Sequence, residues 1–214
     1  MKNYVLAVSK LSKSIKGHLI LDNISLKVKA GEICGVTGRN ASGKSMLFKC
    51  IANIVVPTSG TIEIFGRPIN KLYQGTGNIG VLIERPGFIE SLSGYKNLKL
   101  LAGIRSIICD EQIYTIMESL GLNPGDKRAC KKYSLGMLQK LGIAAALMEN
   151  PDLVLLDEPT NNVDSESVEM ILNLLIRYKK AGTTILLTSH HRDEIDRIAG
   201  YCQELCANSF AGSG

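Results

Sequence analysis

One glycine-rich stretch decides the fold of this chain: Gly38-Arg39-Asn40-Ala41-Ser42-Gly43-Lys44-Ser45. Residues 32–37 precede it with the composition of a buried strand, and residues 44–51 follow it with the spacing of a helix. Its glycines allow backbone angles that a side chain would forbid, so backbone N–H groups can turn inward around an anion. The positive end of the helix dipole adds to that attraction. The stretch therefore predicts a phosphate-binding loop, with ligand contacts continuing to Met46.

Two side chains at the end of this loop strengthen the prediction. Lys44 can reach the outer phosphates of a nucleotide, and the Ser45 hydroxyl can hold Mg²⁺. A glycine-rich turn that carries Lys-Ser by chance is the alternative interpretation. The strand before and the helix after are the context that the motif requires, so the sequence favours a site for ATP and Mg²⁺.

A second apolar segment ends in two carboxylates. Leu153–Leu156 is an unbroken apolar run of the kind found in buried parallel strands, and Asp157 and Glu158 follow it. Asp157 would bind Mg²⁺ directly or through water, and Glu158 can polarise an attacking water. Solvated acids at a strand end are the ordinary alternative, which a neighbouring phosphate loop disfavours.

A third motif opens a helix. Ser134 is a suitable N-cap for a helix over residues 135–148, and Gly136 lies in its first turn. A hydroxyl beside free helix N–H groups forms an anion site. Considered alone, an ordinary capped helix is the better explanation of this segment.

These motifs, followed by Thr188-Ser189-His190, make the chain resemble the nucleotide-binding domain of an ABC transporter from about residue 4 to about residue 200. The resemblance implies an α/β fold, in which a P-loop NTPase (RecA-like) core carries an antiparallel β subdomain and an inserted α-helical subdomain. A single domain is expected over residues 1–214, with its core at about 1–90 and 150–200 and its helical subdomain at about 91–149. Residues 201–214 are interpreted as a truncated or added tail, because the strand pair usual there in the family is not evident.

Two variant motifs narrow the resemblance to the ATP-binding subunits of bacitracin- and lantibiotic-type exporters. They are Ile83-Glu84-Arg85-Pro86-Gly87-Phe88 and Tyr133-Ser134-Leu135-Gly136-Met137. The resemblance implies a Mg²⁺-dependent ATPase that powers export of an antimicrobial peptide or a drug. It does not identify that substrate, whose contacts would lie in the membrane partner.

The resemblance also assigns roles to single residues. Glu158 corresponds to the general base, and His190 to the switch histidine that contacts the γ-phosphate. Glu84 stands where the family usually has a glutamine that contacts Mg²⁺ and senses the membrane partner. Asp164 corresponds to the acid of the D-loop.

The helix-opening motif corresponds to the family signature, which a second copy presents to the bound ATP. Ser134 and Gly136 are retained from the usual Ser-Gly-Gly-Gln pattern. The resemblance therefore implies a homodimer that sandwiches two ATP molecules and docks on an integral-membrane permease.

Two residues depart from the family pattern near the nucleotide. Ala41 stands where the phosphate loop usually has another glycine, which is a small change. Ile15 stands where an aromatic residue usually stacks on adenine. An aliphatic side chain can pack on a purine face but loses the ring-on-ring contribution of about 0.5–1.5 kcal/mol, so weaker or less base-selective binding is expected.

Composition agrees with a globular α/β protein and excludes some function classes. Hydrophobic residues make up 45% of the 214 residues, yet no apolar run approaches the roughly 20 residues that span a bilayer. A cytoplasmic chain, attached to the inner face of the cell membrane through its permease, is therefore expected. The net charge of +5 is mild and scattered apart from residues 127–132, which favours a solvated face over nucleic-acid binding.

Two other function classes remain open at this stage. One is a soluble ABC ATPase that acts on nucleic acid or the ribosome, although such proteins usually carry paired cassettes or a long coiled-coil insertion. The other is a regulatory subunit with little turnover, which the intact Glu158 and His190 disfavour.

Overall fold

Two sheets carry the fold in the computed structural model, which describes residues 4–39, 41–71 and 78–204. The first sheet is antiparallel, with the strand order β2-β1-β4-β5. Its strands are β1 (Tyr4–Ile15), β2 (His18–Lys29), β4 (Ser59–Ile64) and β5 (Arg67–Pro68). Leu6, Val8 and Leu26 alternate with more exposed neighbours, so one face of this sheet covers the core while the other meets solvent.

The second sheet is parallel and has the strand order β6-β7-β8-β3-β9. Its strands are β3 (Ile33–Thr37), β6 (Ile79–Leu82), β7 (Leu153–Leu156), β8 (Thr184–Thr188) and β9 (Tyr201–Glu204). Strands β7 and β8 are buried along their whole length, which explains why the sequence shows unbroken apolar runs there. The loops that follow β3, β6, β7 and β8 all leave from the carboxyl edge of this sheet, where ligands bind in open α/β folds.

Helices cover the parallel sheet and form a separate layer beside it. The helices are α1 (Lys44–Ile51), α2 (Gly94–Arg105), α3 (Asp110–Ser119), α4 (Leu135–Leu147), α5 (Ser165–Lys180) and α6 (Arg192–Ile198), with 3₁₀ turns at Ile69–Lys71 and Cys130–Lys132. Helices α2, α3 and α4 are inserted between β6 and β7 and pack through Leu98, Ile113 and Leu141. The expected α/β fold with an inserted helical segment is therefore confirmed. None of the described helices is both long enough and apolar enough to cross a membrane.

The interpretation of residues 201–204 as part of a tail needs correction. These residues form the edge strand β9, which pairs in parallel with β3 from Cys34↔Tyr201 to Thr37↔Glu204. The short segment lacks the apolar alternation of a strand, and backbone pairing with β3 supplies its conformation. Residues 205–214 lie outside the described residues.

Candidate active site

The phosphate loop joins β3 to α1 and requires glycine at its last turn. Gly43 has a φ of 92°, which side chains rarely adopt. A Cβ added there would lie 2.7 Å from Cδ2 of Leu21 and 3.0 Å from the carbonyl oxygen of Ile20. Ala41 also has a positive φ, of 62°, at the position where the family usually has glycine. The tight turn is therefore set by both backbone angle and contact with β2.

Two buried polar side chains of this loop provide an anion site. Lys44 is buried, and its Nζ donates to the carbonyl oxygens of Gly38 at 2.7 Å and Arg39 at 3.2 Å. Ser42 is also buried, and its Oγ has no hydrogen-bond partner in the part of the chain that the structure describes. Both groups can donate to phosphate oxygens, so the loop fits the nucleotide that the sequence predicts. Asn40, another predicted contact, lies outside the described residues.

One cavity of about 390 Å³ brings the loop together with the predicted catalytic residues. Residues 41–46 line it together with Glu158, His190 and Ile20. Another cavity, of about 480 Å³, lies between α3 and α5 and contains none of these groups. The chemistry therefore selects the smaller cavity as the candidate site, although larger ones exist.

A buried threonine holds the Asp157 side chain and the Glu158 backbone at the end of β7. Thr188 Oγ1 donates to Asp157 Oδ1 at 2.7 Å and accepts the backbone N–H of Glu158 at 2.8 Å. Asp157 is buried, and its own N–H donates to the carbonyl oxygen of Leu82 at 2.8 Å. The backbone of Glu158 has a φ of 51°, a sparsely populated angle that these bonds maintain.

The Glu158 carboxylate is held between two neighbours. His190 Nε2 contacts one carboxylate oxygen, and Asn161 Nδ2 donates to the other. Gln139 Nε2 of α4 donates to the Glu158 carbonyl oxygen at 3.0 Å. The structure therefore brings the predicted base and the predicted switch histidine together. Sequence reasoning did not assign roles to Gln139, Asn161 and Thr188, although Thr188 lies inside a motif that it quoted.

Glu84 has a different partner from the one expected for a Mg²⁺ ligand. Its carboxylate pairs with Nζ of Lys49 on α1 at 2.5 Å, and its side chain is 61% exposed. It does not line the cavity that Ser45 and Glu158 share. A carboxylate at the start of an open loop takes the nearest cation, which here comes from the helix of the phosphate loop. A role for Glu84 as a metal ligand stays a prediction.

Ile15 lies at the exposed end of β1, outside the lining of the cavity. The β1–β2 hairpin turns at residues 16–17, and its second strand brings Ile20 against the phosphate loop instead. Contact between Ile15 and adenine therefore stays a prediction. Ile20 is an apolar cavity residue that no motif identified.

The signature segment has the predicted cap and an unexpected close contact. Ser134 Oγ accepts the N–H of Met137 at 3.1 Å and caps α4. A Cβ added at Gly136 would lie 2.7 Å from the carbonyl oxygen of Asn162, so glycine lets α4 approach the D-loop backbone. Leu135 between them is 51% exposed. Neither Ser134 nor Gly136 lines the cavity of its own chain.

Asp164 serves the start of α5 in this structure. Its carboxylate accepts the Ser167 N–H at 2.9 Å and the Ser167 hydroxyl at 3.2 Å. The backbone N–H of Ser167, followed by its hydroxyl, lowers the pKa of the Asp164 carboxyl below its ordinary value. Lys140 Nζ of α4 donates to the same hydroxyl at 3.2 Å, which joins the signature helix to this cap. The structure does not bring Asp164 to the cavity.

The residues that could hold Mg²⁺ form a sparse set of oxygen donors. Within residues 4–39, 41–71 and 78–204, no group of three or more His, Cys, Asp or Glu side chains is suited to a metal ion. Mg²⁺ in nucleotide sites typically takes one or two carboxylates, with substrate phosphates and water completing its shell. Ser45, in the first turn of α1 on the cavity wall, and Asp157, directly after β7, offer one hydroxyl and one carboxylate, and their role as Mg²⁺ ligands stays a prediction.

Comparisons with known proteins agree with this geometry. The family described as ABC transporter matches residues 21–161. An uncharacterized ABC transporter ATP-binding protein of Bacillus subtilis, YybJ, is 37% identical over 94% of this chain and 92% of its own. The bacitracin transport ATP-binding protein BcrA of Enterococcus faecalis is 38% identical over 92% of this chain, which spans only 64% of that relative. The lantibiotic transport ATP-binding protein SrtF of Streptococcus pyogenes is 33% identical, with coverages of 92% and 85%.

Solved structures share the same fold. An ATP-binding subunit of an ABC transporter superposes with a TM-score of 0.85 at 24% identity, covering 94% of this chain and 85% of its own. A dimeric ATP-binding cassette in a post-hydrolysis state, bound to ADP and Pi, gives 0.84 at 23% identity, with coverages of 95% and 96%. With the phosphate loop, the paired carboxylates and His190 gathered at one edge of the sheet, this chain belongs to the ABC transporter family as an ATP-binding ATPase subunit.

Proposed function

We propose that this chain hydrolyses Mg²⁺-ATP to power an ABC-type membrane exporter, and that its substrate is an antimicrobial peptide or a drug. The contact between Glu158 and His190 at the wall of the phosphate-loop cavity carries the proposal. The substrate class rests on the names of the bacitracin and lantibiotic relatives.

The phosphate groups of ATP would bind in the loop before any chemistry. Lys44 exchanges its two loop carbonyls for the outer phosphate oxygens, and the Ser42 hydroxyl, which has no partner among the described residues, gains an acceptor. Ser45 and Asp157 would hold Mg²⁺, which would supply positive charge to offset the charge of the outer phosphates. Thr188 keeps Asp157 in place by a 2.7 Å hydrogen bond, so little reorganisation is needed.

Glu158 would then act as general base on the attacking water. The carboxylate accepts a proton from the water while the water oxygen attacks the γ-phosphorus. The bond between that phosphorus and the β–γ bridging oxygen breaks, which gives ADP and phosphate. His190 contacts Glu158 from the next strand and lies at the cavity wall, where it can donate to a γ-phosphate oxygen.

A homodimer would complete the site. Ser134 and Gly136 lie outside the cavity of their own chain, and the adjacent Leu135 is exposed. A second copy can present the Ser134 hydroxyl and the first turn of α4 to the γ-phosphate, where the helix N-terminus favours an anion. The structural neighbour bound to ADP and Pi is itself dimeric.

An apolar groove beside the Glu84 loop would receive the permease. This groove of about 320 Å³ is lined by residues 81–83 and 85–89 and by parts of α2 and α4, and Ile89, Leu100 and Leu101 leave apolar surface exposed in this area. A short apolar helix from an integral-membrane subunit fits such a surface. The chain would then lie at the cytoplasmic face of the membrane, attached through that subunit.

The ATPase rate of Glu158→Gln, measured as protein concentration rises, tests the proposal. We expect a parent rate per chain that climbs with concentration, and a variant that binds ATP, accumulates dimers and turns over at least about 100-fold more slowly. Glu118→Gln, a change at an exposed acid on α3, is the matched control and should retain the parent rate. Near-normal turnover in Glu158→Gln would falsify the assignment of the base.

Co-purification with RNA or DNA instead of a permease would favour the nucleic-acid alternative.

A further inference from the structure

Glu194 of α6 joins the two loops that carry the predicted catalytic pair. Thr160 Oγ1 donates to Glu194 Oε2 at 2.6 Å, and Ser189 Oγ donates to the same oxygen at 3.0 Å. Thr160 lies two residues after Glu158, and Ser189 lies immediately before His190. One carboxylate oxygen therefore connects the end of the β7 loop to the end of the β8 loop.

The bonds at this junction are sheltered from water. Thr160 is 8% exposed and Ser189 is 4% exposed, while Glu194 is half-buried. Ser189 Oγ also accepts the N–H of His191 at 2.9 Å, so the backbone on both sides of His190 is tied to this hydroxyl. Hydrogen bonds to an ionised acceptor are roughly twice as strong as neutral ones, and burial limits competition from water.

Helix α6 is itself firmly seated, which makes Glu194 a fixed anchor. Its Ile195 is fully buried against β3, where a Cβ added at Gly35 would lie 2.2 Å from Ile195 Cγ2. Arg197, one turn further, pairs with Glu169 of α5 at 2.6 Å. The carboxylate of Glu194 is therefore held relative to the sheet from which both loops leave.

We infer that Glu194 is a positioning residue that aligns the loop of Glu158 with the loop of His190. Without this shared acceptor, the two hydroxyls lose their common anchor and the His190 ring shifts relative to Glu158. The expected effect on kcat rests on the proposed hydrolytic role of Glu158 and His190. The position of the His190 ring does not rest on that role, because it can be observed separately.

The first readout is the imidazole NMR spectrum, which is tractable because the chain has 3 histidines. His190→Gln assigns the His190 resonances. We expect Glu194→Ala to move them, while Glu194→Gln, which retains an acceptor oxygen, leaves them near the parent values. Asp193→Asn changes an exposed neighbouring acid and is the matched control.

The second readout separates positioning from binding. We expect Glu194→Ala to lower kcat about 10- to 100-fold, because small misplacement of reacting groups has effects of this size, while the KM for ATP stays within about 2-fold. Rescue of kcat by Glu194→Gln completes the expected pattern. Should Glu194→Ala fail to fold, Thr160→Val, which deletes one of the two donors, is examined by the same spectrum and kinetics.

Unmoved His190 resonances together with a parent-like kcat in Glu194→Ala, or in Thr160→Val where that variant replaces it, would overturn the inference. If the parent protein does not hydrolyse ATP but Glu194→Ala still moves the His190 resonances, the positioning role is supported and the proposed function is contradicted. The two failures are therefore distinguishable.

Discussion

The carboxyl edge of the parallel sheet and the surface around the Glu84 loop are built in opposite ways. At the edge, Asp157, Glu158 and Thr188 are joined by hydrogen bonds of 2.7–2.8 Å, and Thr188 is fully buried. Around the loop, Glu84 is 61% exposed and Ile89 leaves about half of its surface in solvent. The groups that would break a bond are fixed before ATP arrives, whereas the groups that would meet a partner are left open.

This difference follows from where each region lies in the fold. Parallel strands buried on both faces hold their carboxyl ends rigidly, so a side chain there needs only one good partner to be oriented. The loop after β6 leaves the sheet toward the inserted helices, and Glu84 adopts a φ of 60° at its start. The effects of substitutions at the carboxyl edge (the fixed side) and around the Glu84 loop (the open side) should accordingly differ in size and in kind.

The largest effect is expected on the fixed side, at Lys44. Lys44→Ala removes the buried ammonium that would bind the outer phosphates, and hydrogen bonds to charged groups contribute about 1.5–3 kcal/mol each. We expect ATP affinity, measured by calorimetric titration, to fall at least about 100-fold. Lys132→Ala, which removes an exposed lysine ahead of the signature, is the control and should bind ATP like the parent. Equal affinity in both variants would contradict the assignment of the loop.

The next effect is expected at Thr188, where stability and activity should change together. Thr188→Val leaves the Asp157 carboxylate and the Glu158 N–H without this partner, and an unpaired buried group costs about 1–3 kcal/mol. We expect a lower free energy of unfolding and a kcat reduced about 10-fold or more. Denaturant unfolding and steady-state kinetics measure the two quantities.

Thr184, at the opposite end of the same strand, offers a matched control. Its buried hydroxyl accepts the N–H of Gly31 at 3.0 Å, far from the cavity. Thr184→Val should therefore lose stability without losing kcat. A similar kcat loss in both variants would mean that the threonines act only through stability.

A smaller, pH-dependent effect is expected at Asp164. The pKa of its carboxyl is lowered in the folded state, chiefly by the backbone N–H of Ser167. The ionised carboxylate therefore contributes to stability above its ordinary pKa of 3.8, and this contribution is lost as the pH falls through the folded pKa. Asp164→Asn keeps a capping side chain but removes the charge. We expect a small loss of thermal stability at pH 7 that shrinks as the pH falls below 3.8. A constant difference at every pH would exclude the charge as its cause.

On the open side, the Lys49–Glu84 pair should affect Mg²⁺ dependence more than stability. Exposed ion pairs contribute about 0–1 kcal/mol, so Lys49→Gln should leave the unfolding midpoint almost unchanged. If Glu84 is a Mg²⁺ ligand, freeing it should lower the Mg²⁺ concentration for half-maximal ATPase about 2- to 5-fold, and Glu84→Gln should raise it. Identical Mg²⁺ curves in the parent and both variants would remove Glu84 from the metal site.

The sequence was sufficient for the parts of the site that are contiguous in the chain. A loop between a strand and a helix, and two acids after an apolar run, are local patterns, and α1 begins and ends at the predicted residues. The parts of the site that the sequence did not reveal are contacts between segments that are distant in the chain. Thr188 lies 30 residues from Glu158, and Glu194 lies 34 from Thr160. Such pairs depend on strand order, which no local spacing encodes.

The same limit applies to the lining of the cavity and to the sheet edge. The hairpin turn at residues 16–17 brings Ile20, which no local motif marks, to the cavity, while contact between Ile15 and adenine stays a prediction. Strand β9 has no apolar alternation to announce it, because pairing with β3 alone determines its conformation. Local spacing does not reveal the ion pair between Glu84 and Lys49, which lies 35 residues earlier, and the role of Glu84 as a metal ligand stays a prediction.

The smallest effect is expected from Ala41→Gly, back on the fixed side. Ala41 has a φ of 62°, and a left-handed angle costs a residue with a Cβ roughly 1–2 kcal/mol, against about 0.5–1 kcal/mol of extra chain entropy for glycine. We expect a net gain in stability of about 1 kcal/mol or less. Ala181→Gly, at a φ of −79° after α5, lacks the strain and should only destabilise. Opposite signs for the two variants in thermal unfolding would show that the loop stores backbone strain, whereas equal losses would mean that the loop relaxes in solution.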